Sequence, residues 1–429
     1  MKSKTSKFFL KYEPPSMVPP IDIFWKKAKG AYIWDERGKK YIDFTSTIFV
    51  TSIGHSNPKF KSKIKEVLNS PISHSYTYYN KFRKEYVNKL IKFVGKKKLN
   101  KCFFMSSGTE STEVAIKLMR LNALKKNPGK KGIIAISGNW HGRTMGAQML
   151  SDNKQQSSWI TSKDKSIYHI EFPYPWIKGF DEKSFFKKTI SKKFSKKFNF
   201  KRNVAGIMLE AFQGWGAFFY PKNYIRNLVK FAKKNNIFIA IDEMQSGFGR
   251  TGKKFGYEHY SFVPDIVCCG KAMGSGLPIS GVISSKKIMD VEDGNLQSTH
   301  SGNPLSCAAG IATLDEINRL NLVKASEKKG NLMIKQLNII MNENRDLISH
   351  VTGKGLIAAL IFKKLNGLSA SKLATEVCLI CKQKGLLLVN TNRDSIKFGP
   401  PLIISEKDIM NSMKILGETI KQIRKKNGN

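Results

Sequence analysis

The residues best suited to chemistry gather in Ile237–Lys271, IFIAIDEMQSGFGRTGKKFGYEHYSFVPDIVCCGK. The apolar run IFIAI stops at Asp242, Glu243 and Gln245, and the run DIVCC stops at Gly270 and Lys271. Short, unbroken Ile/Val-rich runs between turn signals read as buried parallel strands. In an open α/β sheet, functional groups collect just past the carboxyl ends of such strands. If the two runs are neighbouring strands, a carboxylate and an amine emerge at one edge of one sheet. They would suit a ligand that needs an acid at one end and an amine at the other. Two plainer readings stand beside this one. Asp242 could cap the turn after its strand, and Lys271 is one of 63 lysines, most of which must be solvated.

A second cluster is Ser106-Ser107-Gly108-Thr109-Glu110, between the strand-like Cys102–Met105 and a helical pattern over Ser111–Leu124. The free N–H groups and the dipole of a helix start make an anion site. Ser107 with Glu110 also fits a capping box, an ordinary way to begin a helix. Both hold together, because a cap and a bound anion satisfy different donors.

The segment Ile241-Asp242-Glu243-Met244-Gln245-Ser246-Gly247-Phe248-Gly249-Arg250-Thr251-Gly252 resembles the signature of the class III aminotransferases. So do Pro264-Asp265-Ile266 and Gly270-Lys271-Ala272-Met273-Gly274-Ser275-Gly276-Leu277-Pro278. These are pyridoxal phosphate enzymes of fold type I. The likeness runs over roughly residues 20 to 410, through Ala31–Asp35, Gly54-His55, Ser107–Glu110, Trp140–Thr144, Thr299–Pro304 and Pro400–Leu402.

The resemblance implies that Lys271 forms a Schiff base with pyridoxal 5'-phosphate, for which its amine must be neutral. Gly270, Gly274 and Gly276 leave room for backbone beside a planar ring. It implies that Asp242 keeps the pyridine nitrogen protonated, a charge-assisted contact worth about 1.5–3 kcal/mol. By the same resemblance Gln245 would hydrogen-bond the phenolic oxygen, and Ser107, Gly108 and Thr109 would hold the phosphate. Trp140, at the end of the strand-like Gly132–Ser137, stacks on the ring, although core filling would also explain it. Thr299 matches the family threonine that reaches the phosphate from the neighbouring subunit, which implies a homodimer, or a dimer of dimers. His141 is expected to hold local structure rather than act as the base, since Lys271 can carry the proton. Arg143 receives a substrate carboxylate or fixes its loop.

Two departures bear on the substrate. Relatives acting on glutamate, ornithine or 4-aminobutyrate continue the strand VAGIMLE into Gln-Gly-Glu, whereas Glu210 is followed here by Ala-Phe-Gln-Gly-Trp-Gly, with Trp215 replacing the acid. They also carry an arginine where Lys397 stands, and lysine offers no planar fork to a carboxylate. Phe49, Arg143, Glu210, Trp215 and Lys397 are therefore the substrate-side candidates, and Trp215 suggests a more apolar or aromatic-walled pocket near Phe49.

The chain has 429 residues, 41% of them hydrophobic, enough for a large domain and a smaller one. No apolar stretch approaches the 18 or more residues of a membrane span, and the basic start MKSKTSKFFLKYEPPS lacks a signal-peptide core. The six cysteines are sparse, and Cys378-x-x-Cys381 lies on a helical pattern without a second pair, so core is expected rather than metal. A reducing cytoplasm fits. The net charge of +42 and the stretch Lys192–Arg202 raise a polyanion-binding alternative. Against it, lysines spread along the whole chain and outnumber arginines 63 to 11, so no specific nucleic acid partner is expected.

The elements that must position these residues follow in order. Residues 1–60, with a turn at Glu36–Lys39, join a small domain; 61–320 alternate helices and apolar strands as a large cofactor domain; 321–429 complete the small domain. The fold class expected is α/β, fold type I, with a mainly parallel sheet of the seven-stranded kind flanked by helices, and a smaller α+β domain built from both termini. The function expected is a ping-pong aminotransferase acting on an amine or amino acid and a 2-oxo acid. An aminomutase or decarboxylase on the same fold, and a non-catalytic polyanion binder, are the alternatives.

Overall fold

The computed structural model describes residues 4–17 and 21–427. Residues 1–3 of the basic N-terminal stretch lie outside that range, and Lys4–Tyr12 is a helix. The chain divides into two compact units: Lys59–Gly214 with Phe218–Val323, and Met1–Pro58 with Trp215–Ala217 and Lys324–Asn429.

The first unit is built on a seven-stranded sheet. Its strands are β1 (Lys101–Met105), β2 (Gly132–Ile136), β3 (Ile167–Ile170), β4 (Val204–Glu210), β5 (Phe238–Asp242), β6 (Ile266–Cys269) and β7 (Ser280–Ser284). They lie in the order β1-β7-β6-β5-β4-β2-β3. β7 runs antiparallel to both its neighbours, while β6, β5, β4, β2 and β3 pair in parallel.

The apolar runs are unbroken because both faces of the sheet are covered. Ile133, Ala135, Met208, Ala240, Ile266, Cys268 and Val282 share one cluster with Val114, Leu118 and Met119 of helix α1 (Gly108–Leu124). The alternate residues Ile134, Ile136, Ile207, Leu209, Ile239, Ile241 and Val267 face the other way and are equally buried. Each large aliphatic side chain so covered contributes about 1.5–3 kcal/mol.

The reversed direction of β7 has a local cause. Only Gly270–Ile279 joins it to β6, and a parallel crossover needs a dozen residues or more. The chain therefore turns straight back, and Lys271 sits in that return.

The second unit combines two four-stranded sheets. Trp25–Lys29, Tyr32–Asp35 and Lys40–Asp43 form an antiparallel meander, and Leu386–Leu387 from the far end of the chain pairs in parallel with its last strand. The expected turn at Glu36–Lys39 connects Tyr32–Asp35 to Lys40–Asp43. The other sheet runs Ile348–Lys354, Ile357–Phe362, Ser395–Phe398, Val389–Asn390, all antiparallel. Helices Ala370–Gln383 and Glu406–Asn427 pack together, with Cys378 and Cys381 fully buried in the first.

One turn in this unit departs from ordinary backbone. Ser46, Thr47, Ile48 and Phe49 have φ of 44°, 53°, 59° and 68°. Left-handed backbone costs roughly 1–2 kcal/mol per non-glycine residue. The turn is held by Asp43, whose Oδ1 accepts from Thr45 and Ser46 N–H, and by the Ser46 hydroxyl, which donates to the Gly399 carbonyl at 2.6 Å. No helix among the described residues is long and apolar enough to cross a membrane.

Candidate active site

Asp242 closes β5 and Lys271 follows the end of β6, the parallel strand beside it, where Asp242 is in register with Cys268. The carboxylate and the amine thus emerge at the carboxyl edge of adjacent strands. Asp242 is 3% exposed. Its Oδ2 lies 2.9 Å from Nδ1 of His141, and its Oδ1 accepts the Met244 N–H at 2.9 Å. Each oxygen keeps lone-pair capacity for a further donor.

His141 is itself buried, its N–H donating to the Ser151 hydroxyl and its carbonyl accepting from Thr112. When Nδ1 donates to Asp242, the neutral ring leaves a lone pair on Nε2. No donor meets it among the described residues. The ring is fixed against the carboxylate rather than offered to solvent.

Lys271 follows Gly270 with a φ of 46°, a left-handed residue that is not glycine. Its ammonium forms no ion pair or hydrogen bond among the described residues, whereas many surface lysines here do. Close packing surrounds its approach. A Cβ on Gly270 would come 2.6 Å from the Met244 sulfur, and one on Gly108, at the start of α1, would come 2.7 Å from the same atom. Met244 therefore spaces the helix start from the lysine turn.

At that helix start the Glu110 carboxylate accepts the Ser106 and Ser107 N–H groups at 3.1 and 2.6 Å, and the Ser107 hydroxyl. The next N–H groups, of Gly108 and Thr109, have no acceptor within the helix. The Thr109 hydroxyl lies 2.7 Å from that of Thr144 and accepts the Thr144 N–H. Gly142, with φ of 140°, passes so close that a Cβ there would strike the Thr109 hydroxyl at 2.2 Å. The Trp140–Thr144 loop is thereby pinned to the helix start.

Trp140 is half-buried, and the Arg143 guanidinium lies 5.1 Å from its ring centroid. Arg143 is exposed and pairs with no carboxylate among the described residues.

Glu210 closes β4 in register with Asp242. It is 4% exposed and accepts from the N–H of Trp140 (3.1 Å), the N–H of Gly214 (3.0 Å) and the Gln245 amide (3.2 Å). Burial, and then the neighbouring Asp242 charge, push its carboxyl up to about 7. A Cβ on Gly214 would lie 2.4 Å from the Gln245 amide nitrogen, so the glycine admits this pair. Glu243, 1% exposed, is likewise pushed up to about 7 by burial. It accepts from the Ser246 hydroxyl and the Gly256 and Tyr257 N–H groups, tying down the loop between β5 and β6.

Thr299 is exposed, its carbonyl accepting from Nε2 of His74 at 2.9 Å. The remaining candidates belong to the other unit. There the Lys397 ammonium lies 4.6 Å from the ring centroid of the buried Phe49, and the Arg393 guanidinium lies 5.5 Å from that of Trp215.

Sequence reasoning brought Asp242 and Lys271 together, offered Glu210 on the substrate side and His141 as a structural residue, and gave Met244 no role. Glu210 ends an apolar strand just as Asp242 does, and its observed partners are the Trp140 N–H and the Gln245 amide. The pairing of His141 with Asp242 spans 101 positions and carries no local sign. Met244 lies inside the signature but declares its packing role only in three dimensions.

Comparison with known proteins points one way. The sequence profile described as aminotransferase class-III matches residues 14–420. The chain is 32% identical over 411 residues to acetylornithine aminotransferase of Caldanaerobacter subterraneus subsp. tengcongensis, covering 94% of this chain and 95% of that protein. It is 33% identical over 423 residues to ornithine aminotransferase of Saccharomyces cerevisiae, covering 94% of each. Among solved structures it resembles ornithine aminotransferase of Toxoplasma gondii, described with partial occupancy of PLP at its active site. That likeness has a TM-score of 0.88 at 22% identity, over 100% of this chain and 97% of that one.

Proposed function

The chain belongs to the class III aminotransferases, pyridoxal-phosphate-dependent enzymes of fold type I, and from that premise we propose a role for each residue at the strand edge. The observation that carries the reading is the emergence of Asp242 and Lys271 from adjacent parallel strands. The residues present suit the cofactor. An acceptor with spare lone pairs, helix-start N–H groups and a close-packed glycine pair match a flat ring with a protonated nitrogen and a phosphate tail.

Asp242, oriented by His141, holds the ring nitrogen protonated. Gln245, oriented by Glu210, donates to the phenolic oxygen. Gly108 and Thr109, with Ser107, hold the phosphate, and Trp140 covers one ring face. Pyridoxal phosphate supplies an electron sink for the pair left behind when a proton leaves the donor's carbon. Lys271 would anchor the group through its amine and, once freed, its Nζ would take up the proton that leaves the donor's carbon. A 2-oxo acid then reverses the sequence, giving ping-pong kinetics.

The test is borohydride reduction. The wild-type chain should gain the mass of the reduced cofactor on the peptide containing Lys271, and Lys271→Ala should gain none. Covalent cofactor on the Lys271→Ala chain would refute the role.

The named relatives concern ornithine and acetylornithine, which carry a terminal amine. Trp215 and Lys397 support a departure from strongly acidic partners, because neither provides the fork that grips a second carboxylate. Terminal-amine donors with apolar bodies should therefore outperform glutamate, and pyruvate should outperform 2-oxoglutarate. A clear preference for two-carboxylate substrates in an amine screen would overturn this.

A homodimer is supported by the exposed Thr299 beside His74 and by Tyr78 and Tyr79, 78% and 96% exposed on the same unit. Sedimentation as a monomer at micromolar concentration would contradict it. The six free thiols support a reducing, cytoplasmic setting.

A further inference from the structure

We propose that a cleft at the edge of the seven-stranded sheet opposite Asp242 and Lys271 binds a compact polyphosphate anion of the pyrophosphate class. The cleft has a volume of about 340 Å³ and takes in Lys126, Lys130, Asn199, Lys201, Arg202 and Phe238. Lys130 precedes β2, Arg202 precedes β4 and Phe238 begins β5, so the cleft lies at the amino ends of three parallel strands.

Its lining is one-sided. Four of its ten residues are cationic and none is acidic, against 74 cationic and 32 acidic among 429 in the whole chain. None of the four forms an ion pair among the described residues, although ion pairs are frequent elsewhere.

Two of the cleft's four asparagines point the same way. The Asn127 side-chain oxygen accepts the Gly129 N–H, and that of Asn199 accepts the Arg202 N–H, both at 3.0 Å. Each amide is thus turned so that its NH₂ is left as a donor. Asn122 is the exception: its amide donates to the Leu118 and Ile288 carbonyls, both at 2.9 Å, which leaves its side-chain oxygen as an acceptor among the four cations.

Helix C-termini explain part of this charge. α1 ends at Leu124, and helix Lys222–Lys234 ends beside Asn236. Each terminus carries about half a negative elementary charge. Lys130, 5% exposed, is committed to backbone carbonyls of Lys201, Asn235 and Asn236 at 3.0, 3.1 and 2.9 Å. Four cations less two half-charges leave about three positive charges without a partner. Lys126 and Lys201 repel the buried ammonium enough, after burial itself, to lower its proton affinity. A bound polyanion would relieve that repulsion. The volume lies at the low end of the range for small-molecule sites, about 300–1,000 Å³, which favours a compact ligand.

The test is calorimetric titration of the holoenzyme, its cofactor bound, with pyrophosphate in 150 mM NaCl. One saturable event per chain is expected. Lys126→Gln with Lys201→Gln, both exposed positions, should weaken it at least tenfold while the visible absorbance of the cofactor stays unchanged. The control pair Lys372→Gln with Lys407→Gln should leave it intact. ATP binding as tightly as pyrophosphate identifies a nucleotide as the source of the phosphate; pyrophosphate alone identifies a free ion. Absence of saturation, equal weakening by both pairs, or tighter binding of citrate than of pyrophosphate each overturns the proposal.

Discussion

Replacing Glu210 by Gln isolates the effect of burying a carboxyl group beside Asp242. The group is raised from an ordinary 4.5 to about 7, by burial first and the Asp242 charge second. A carboxyl raised in the folded chain stays protonated there while the unfolded chain has already ionised. Its contribution to stability is therefore full below pH 4.5, declines as pH rises from 4.5 to 7, and is gone above. A difference of that size amounts to about 3 kcal/mol. Glu210→Gln cannot ionise, so the decline should vanish. The Gln side chain changes the contacts with Trp140, Gly214 and Gln245, but those changes are the same at every pH and cancel in the comparison. Urea unfolding of the cofactor-free proteins at pH 5, 6, 7 and 8 gives the readout. Relative to wild type, the variant should gain about 3 kcal/mol between pH 5 and 8. Parallel stability curves for the two proteins would show that Glu210 is ionised throughout, and the electrostatic picture of the strand edge would be wrong.

Asp242→Asn should lower kcat about 10- to 100-fold with a smaller change in KM, reflecting a lost charge-assisted contact worth about 1.5–3 kcal/mol; steady-state kinetics on a terminal amine would reveal it. Lys130→Met should cost about 3 kcal/mol of stability in urea unfolding, because three backbone carbonyls lose their shared donor. Gly108→Ala should weaken pyridoxal phosphate binding as its Cβ presses on the Met244 sulfur, an overpacking cost of about 1–3 kcal/mol. Adding Met244→Ala should restore much of that affinity in a fluorescence titration, whereas no restoration would mean that the sulfur is not the obstacle.

Much of the sheet was legible because a strand buried on both faces writes itself as a short apolar run. Gly132–Ile136, Val204–Glu210, Phe238–Asp242 and Ile266–Cys269 all read that way. The positions of Asp242 and Lys271 followed from where two such runs stop. What stayed hidden depends on pairings that no window along the chain contains. Nothing near Trp215 in sequence indicates that Trp215–Ala217 groups with residues beyond 324. The left-handed Ser46–Phe49 turn contains no glycine and two β-branched residues, so local propensity argues against it. Its cause is a tertiary clasp, and the hydrogen bond from Ser46 to Gly399 spans 353 positions.

That distance has a consequence for a chain emerging from a ribosome. Ser46–Phe49 is synthesised well before Gly399, whose N–H donates to the Phe44 carbonyl and whose carbonyl lies 353 positions beyond Ser46. Until then the segment has no reason to coil in the disfavoured hand, and right-handed or extended conformers should dominate. A nascent chain truncated before Gly399 would carry this stretch relaxed, and its reversal of hand would mark the moment at which these two distant segments first meet.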